Sequence, residues 1–228
     1  MLPKITVFSG DISDAGAMFL VDSSNGYRLS GTGTSEQIRK HFGRIVDKKA
    51  LHDYWNLVSE AKEPLSFALD YMHNVQKREP SVYQHKSLEY IVRERNSKPL
   101  RRGDAALLTL GDFAVSSAVG MTYDWKKLPS EKPLTVINAT ANTVKNSLQK
   151  SLVFAEGFKC GKVAMPIMCT RKGGLEKDES AGATASALKN HFSKYQDSKI
   201  NEIIIVLYDE ALQAEKEYFK GYFDSISE

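Results

Sequence analysis

The chain has 228 residues, 42% of them apolar, which suffices for one medium-sized domain with a substantial core. Its 31 basic and 28 acidic side chains leave a formal charge of +3, far below the basic footprint of a protein coated for nucleic acid. No stretch reaches the roughly 18 apolar residues of a membrane span, no signal-like N-terminal core is present, and two cysteines, Cys160 and Cys169, make no disulfide framework. These features predict a soluble intracellular protein, cytoplasmic or nuclear, with no membrane partner and no cofactor.

In chain order, Ile5 to Phe8, Ala17 to Val21, Ala105 to Leu110, Leu134 to Ile137, Lys162 to Met165 and Glu202 to Tyr208 read as strands. Several are too continuously apolar for a half-exposed sheet and belong at its centre. Helical spacing places Val144, Leu148, Leu152 and Ala155 on one face of a helix over Thr143 to Gly157, with Gly157 and Gly161 as stop signals. A second helix, Asp178 to Tyr195, carries Ala181, Thr184, Ala185, Leu188, Phe192 and Tyr195 inward and the acids Asp178 and Glu179 in its first turn. A last helix covers Ala211 to Phe223. Strands alternating with helices predict a three-layer α/β/α sandwich around a mixed central sheet, in a single domain over 1–228.

Residues 44–99 break the rhythm. Leu51, Tyr54, Trp55 and Val58 make one helical face, and Leu65, Ala68, Leu69, Met72 and Val75 another after Pro64. A helical insertion is predicted there, a candidate protein-contact surface, followed by the basic run Arg93, Arg95, Lys98, Arg101 and Arg102.

Two Gly-bearing loops each follow a strand and precede a helix. The first contains Asp22, Asn25, Gly31, Gly33, Thr34 and Ser35. The second contains Cys169, Thr170, Arg171, Lys172, Gly173 and Gly174. Glycines let backbone amides approach phosphate oxygens, and helix N-termini add positive potential, so a phosphate-bearing ligand gripped from both sides is predicted. Cys169 reads as a small buried side chain, since no matched His activates it. His41 reads as a surface or half-buried residue, and no Cys/His spacing suggests a metal.

These residues carry a family resemblance. Ser9-Gly10-Asp11-Ile12-Ser13 resembles the Gly-Asp-Ile-Thr opening of macrodomains, and Val21 to Gly43 resembles their Val-Asn-Ala-Ala-Asn stretch, Gly-rich loop and helix. Val144 to Pro166 resembles their helix and Ala-Phe-Pro strand, Met168 to Gly174 the diphosphate loop, and Ile205 to Glu210 the last strand. The resemblance covers nearly all of the chain outside the insertion. It implies binding of ADP-ribose, free or on an ADP-ribosylated protein. Asp11 and Ile12 would hold adenine, Tyr208 would stack on it, Asn25 would orient the distal ribose, and the two loops would wrap the diphosphate.

Three positions depart from the hydrolytic pattern: Asp22 stands where the family often has Asn, Ser35 where it has Asp, and Arg171 where it has Gly. Hydrolysis of an ADP-ribosyl linkage would then draw on Asp22 or Glu36 as the carboxylate, with Asn25 beside it. Each acid has a plainer reading, Asp22 as a turn residue and Glu36 as a first-turn helix residue. Arg171 could pair with the diphosphate or face an acidic partner. A hydrolase, a non-catalytic reader, and a drifted interaction module therefore all stay open; nucleic acid ranks last as a partner.

Overall fold

The computed structural model describes residues 2–26, 33–42, 100–110, 112–123, 136–207 and 213–227. Among them, strands β1 (Lys4–Ser9), β2 (Phe19–Asn25), β3 (Ala105–Leu110), β4 (Phe113–Tyr123), β5 (Val136–Ile137), β6 (Lys162–Pro166) and β7 (Glu202–Leu207) form one sheet. Four helices accompany it: α1 (Thr34–Phe42), α2 (Ala141–Phe158), α3 (Lys177–Lys194) and α4 (Gln213–Ser227). A 3₁₀ turn over Ile12–Asp14 follows β1.

The strand order is β1-β7-β6-β2-β4-β3, with β5 beside β4. β1, β7, β6, β2 and β4 run parallel, while β3 and β5 are antiparallel to β4. The continuously apolar β2, β6 and β7 are central, as their composition predicts; β1 and β3 end the order. The second strand runs Phe19–Asn25 rather than Ala17 to Val21, because pairing with β4 carries it through Asp22 and Asn25, which the sequence pattern places in a loop, and β4 is an addition to the strands read from sequence.

Alternation along each strand sorts the core onto two faces. Phe19 and Val21, Val163 and Met165, and Ile203, Ile205 and Leu207 point to one face, where Val144, Leu148 and Leu152 of α2, Leu188 and Phe192 of α3, and Phe219 and Phe223 of α4 cover them. Leu20, Ala164, Ile204 and Val206 point to the other, where Ile12 of the 3₁₀ turn and Ile38 of α1 pack. Burial on both faces makes this a three-layer α/β/α architecture. Among the described residues no helix is long and apolar enough to cross a membrane.

Two expectations are corrected. Tyr195 is 39% exposed at the end of α3, its ring stacked on His191 at 4.4 Å between centroids, because the helix ends there and the inward place is taken by His191. Gly157 does not stop α2, which runs on to a left-handed cap at Lys159, φ 55. The insertion at 44–99 lies outside the described residues.

Candidate functional site

Because β1, β7, β6 and β2 are parallel neighbours, the segments that leave their C-terminal ends share one edge of the sheet. Asp11 follows β1, the 168–174 loop follows β6, and Asp22 to Asn25 close β2. That edge is where open α/β sheets place ligands. Gly31 and Tyr208 fall outside the described residues. Three hydroxyls at the same edge, Ser9 Oγ in β1, Ser24 Oγ in β2 and Thr122 Oγ1 in β4, are buried without a hydrogen-bond partner among the described residues. Buried polar groups are almost always satisfied, so each of these separate hydroxyls is open to a water or a ligand atom.

Asp11 caps the 3₁₀ turn. Its Oδ1 accepts from Ser13 N at 2.9 Å and from Ser13 Oγ at 2.6 Å. Both bonds fall on one oxygen, so the cap fixes the carboxylate while Oδ2 keeps its acceptor capacity. Buried Ile12 follows, and its amide donates to Gln37 Oε1 at 3.3 Å. The Asp11 turn is thus tied to α1.

The pleat divides the end of β2 between the two loops. Asp22 faces α1, where its Oδ1 accepts from Ser35 Oγ at 2.5 Å; Asp22 is 8% and Ser35 6% exposed. A carboxylate and a hydroxyl from β2 and α1 therefore meet in the buried space between them. Ser23 faces the second loop, where its hydroxyl accepts from Cys169 N at 3.3 Å. Asn25 is buried at the β2 terminus, after a register shift against β4. Glu36 is partly exposed in the first turn of α1, beside Thr34. Gly33 accepts from the amides of Glu36 and Gln37 and has φ +71, while a Cβ built on it would meet nothing within 4 Å among the described residues. Its backbone conformation thus favours glycine.

The second loop is built around Cys169. This residue is left-handed at φ 62 and its thiol fills the place a Cβ would occupy on Gly120, at 2.3 Å. Burial pushes the thiol up to about 11, against a weaker opposing pull from the Ser23 hydrogen bond, so it is not a nucleophile at neutral pH. Gly173 is required by this packing: a Cβ there would lie 2.4 Å from Cys169 Cβ and 2.6 Å from its carbonyl oxygen. The sequence reason for glycine here, approach of a ligand, is thus supplemented by an internal one. Gly174, at φ +74, lies against the amide of Asn138, and Gly173 O accepts from Ala139 N at 2.9 Å. Arg171 and Lys172 are exposed, and Thr170 is partly so. Ser180 of α3 braces the loop through its bond to Met168 O at 2.6 Å.

Sequence reasoning did not single out Ser23, Gln37, Gly120 or Asn138. Strand alternation from Asp22 would have aimed Ser23 at the second loop, and the Ser35–Ile38 face of α1 would have flagged Gln37; the other two carry no local signal. Among the described residues no group of three or more His, Cys, Asp or Glu could hold a metal.

No protein-family model matches the chain, and comparison with curated proteins gives no match. Solved structures do match. The chain is similar to the Trypanosoma brucei macrodomain in complex with ADP, with a TM-score of 0.60 and 9% identity over 96% of this chain and 68% of that one. It is similar to a point mutant of the Oceanobacillus iheyensis macrodomain with ADPR, with a TM-score of 0.56 and 16% identity over 98% and 92%. It also matches an Alphavirus P23pro-zbd with a TM-score of 0.57 and 14% identity, over 100% of this chain but 24% of that longer protein. Sheet order, two covered faces and loops gathered at the parallel C-terminal edge define an open α/β sandwich. Its particular fold is that of a macrodomain.

Proposed function

We propose that the protein binds ADP-ribose at the C-terminal edge of β1, β7, β6 and β2 and hydrolyses an ADP-ribosyl linkage there. The observation that carries this reading is the gathering at one edge of a capped carboxylate, two Gly-bearing loops and orphaned buried hydroxyls. The Trypanosoma brucei macrodomain of the same fold was solved in complex with ADP-ribose. Asp11 Oδ2 accepts from the exocyclic amine of adenine, and Tyr208 stacks on the purine. Gly31, Gly33, Gly173 and Gly174 admit phosphate oxygens to backbone amides, with Arg171 and Lys172 adding positive charge. Asn25 orients the distal ribose.

In the hydrolytic step a water attacks the anomeric carbon, and the bond from that carbon to the leaving oxygen or nitrogen breaks through an oxocarbenium-like state. A carboxylate near that centre stabilises the developing charge and takes the proton of the water. Asp22 is the first choice because the Ser35 hydroxyl fixes its orientation; Glu36, one residue after Ser35, is the second. The leaving group is the side chain of the protein partner, which takes up the proton that the carboxylate removed from the water, while ADP-ribose keeps the water's hydroxyl.

A reader that binds without turnover is favoured by one specific observation, the burial of Asp22 with its bond to Ser35, which also suits a structural role. A release assay on ADP-ribosylated protein separates the two. Asp22→Asn or Glu36→Gln should slow release about a hundredfold or more while free ADP-ribose still binds. Tight binding of ADP-ribose with no release from acidic, Ser or Arg linkages would establish the reader instead.

A further inference from the structure

A recess lies along α2 and α3, outside the loops of the proposed site. Its volume is 490 Å³, within the range of ligand pockets, roughly 300–1,000 Å³. Asn146, Gln149, Lys150 and Val153 of α2 line it at helical i, i+3, i+4, i+7 spacing, and the last turn of α3 faces them with Asn190, Lys194 and Tyr195. Arg101 to Asp104 close one end.

The charge of this recess is one-sided. Four cations line it, Arg101, Arg102, Lys150 and Lys194, against Asp104 as the one acid among its lining residues, a balance of 4 − 1 = +3. Lys150 pairs with Asp104, and Arg102 donates to Asn138 O. Arg101 and Lys194 have no ion-pair partner among the described residues, and both are exposed. They sit toward opposite ends: Gly103 abuts Asn146, whereas His191, a turn before Tyr195, bonds Glu156. Ten residues of helix separate Asn146 from Glu156, about 15 Å. That length accepts four or five residues of extended chain.

The recess also adjoins the proposed ADP-ribose edge. Leu100 N donates to Gly26 O at 2.8 Å, one residue beyond Asn25, and Asn138, which receives Arg102, lies against Gly174 of the second loop. A chain lying in the recess therefore leads toward both walls of the site.

We propose that this recess docks an acidic peptide segment, the stretch of the modified protein that flanks its ADP-ribosyl group, a reading that rests on the ADP-ribose function above. The cations at either end receive acidic side chains, the amides of Asn146, Gln149 and Asn190 match the donors and acceptors of a peptide backbone, and exposed Val153 with half-buried Phe154 accepts an apolar side chain. A single-stranded nucleic acid needs successive stacking platforms along its track. Here the lining offers Tyr195, one face of which is already covered by His191, and half-buried Phe154.

The test uses the full chain, a fluorescent acidic peptide of about eight residues bearing Glu, Asp and one Leu, and its Gln/Asn counterpart of equal length. The acidic peptide should bind about tenfold more tightly than the neutral one, with an advantage that shrinks in high salt. The double variant Arg101→Glu, Lys194→Glu should erase that advantage and leave the affinity for free ADP-ribose unchanged. Equal binding of the two peptides, an unaltered advantage in the double variant, or tighter binding of an equal-length oligonucleotide would overturn the proposal. Failure of the parent protein to bind free ADP-ribose would instead refute the reading on which it rests, and that titration is read separately.

Discussion

Replacing Gly173 with Ala tests whether the second loop is held as described. The new Cβ would stand 2.4 Å from Cys169 Cβ, 2.6 Å from Cys169 O and 2.8 Å from Cys169 Cα. Carbon atoms rest about 3.5–4.0 Å apart, so the overlap exceeds an ångström and involves backbone. Cys169 has little freedom to retreat. Its thiol fills the gap above Gly120, its amide donates to Ser23 Oγ, and its carbonyl accepts from Leu175 N at 3.1 Å. Overpacking in a tight region costs about 1–3 kcal/mol, and the rigid surroundings put this site near the upper end. For a chain of this size that lowers the melting midpoint by on the order of 6 to 12 °C. Thermal unfolding followed by circular dichroism reads the loss, and Cys169→Gly in the same background should recover part of it, since it removes the closest of the three contacts. A Gly173→Ala protein that melts with the parent would refute the packing argument.

Three further outcomes follow from particular contacts. Lys159→Gly should raise stability by about 0.5–1 kcal/mol, because a left-handed cap at φ 55 suits glycine better than lysine; a lower melting midpoint would contradict this. Ser35→Ala removes the hydroxyl donor to Asp22 and should cost about 1.5–3 kcal/mol in urea titration, whereas its effect on top of Asp22→Asn should be smaller; equal losses in both backgrounds would deny the coupling. Acid should destabilise the α2–α3 pair. Burial holds His191 below its ordinary 6.5, only partly offset by Glu156; burial pushes Glu156 up, but the bonds from Ser198, His191 and the Lys199 backbone, with the His191 charge, together hold it below 4.5. With both folded values depressed, the unfolded chain binds more protons, so stability is fully present above pH 6.5 and falls as pH drops through the folded values. His191→Gln should flatten the loss just below pH 6.5, and an unchanged pH profile would refute the assignment.

Much of this was legible in the sequence, for reasons visible in individual residues. Val144, Leu148, Leu152 and Ala155 repeat at helical spacing and are fully buried on α2. The run from Glu202 to Leu207 is buried almost throughout because it lies between two parallel neighbours. β4 was hidden because Ser116, Ser117 and Gly120 dilute its apolar pattern, although Ser116 is buried and bonds Ser151 Oγ at 2.8 Å. Small residues there admit α2 and the Cys169 thiol, a tertiary demand that no local propensity records. Gly33 and the 169–174 loop could be placed from glycine and helix-start signals, whereas Asp22 and Asn25, which the sequence pattern places in a loop, lie in β2, and Thr34 and Ser35 open α1. The mutual contacts of the site residues could not be placed: the meeting of Asp22 with Ser35, and of Ser23 with Cys169, depends on which way the β2 pleat faces across 13 and 146 residues of chain.

Calorimetric titration of ADP-ribose into the parent protein and Asp11→Asn tests the central claim most directly. Asn keeps the oxygen that caps the turn at Ser13 but replaces the second acceptor with an amide donor, which meets the adenine amine donor to donor. The account predicts saturable binding to the parent, a loss of about 1–3 kcal/mol in the variant, and nearly equal melting midpoints. No saturation of the parent at millimolar ADP-ribose, or equal affinities in the two proteins, would contradict it.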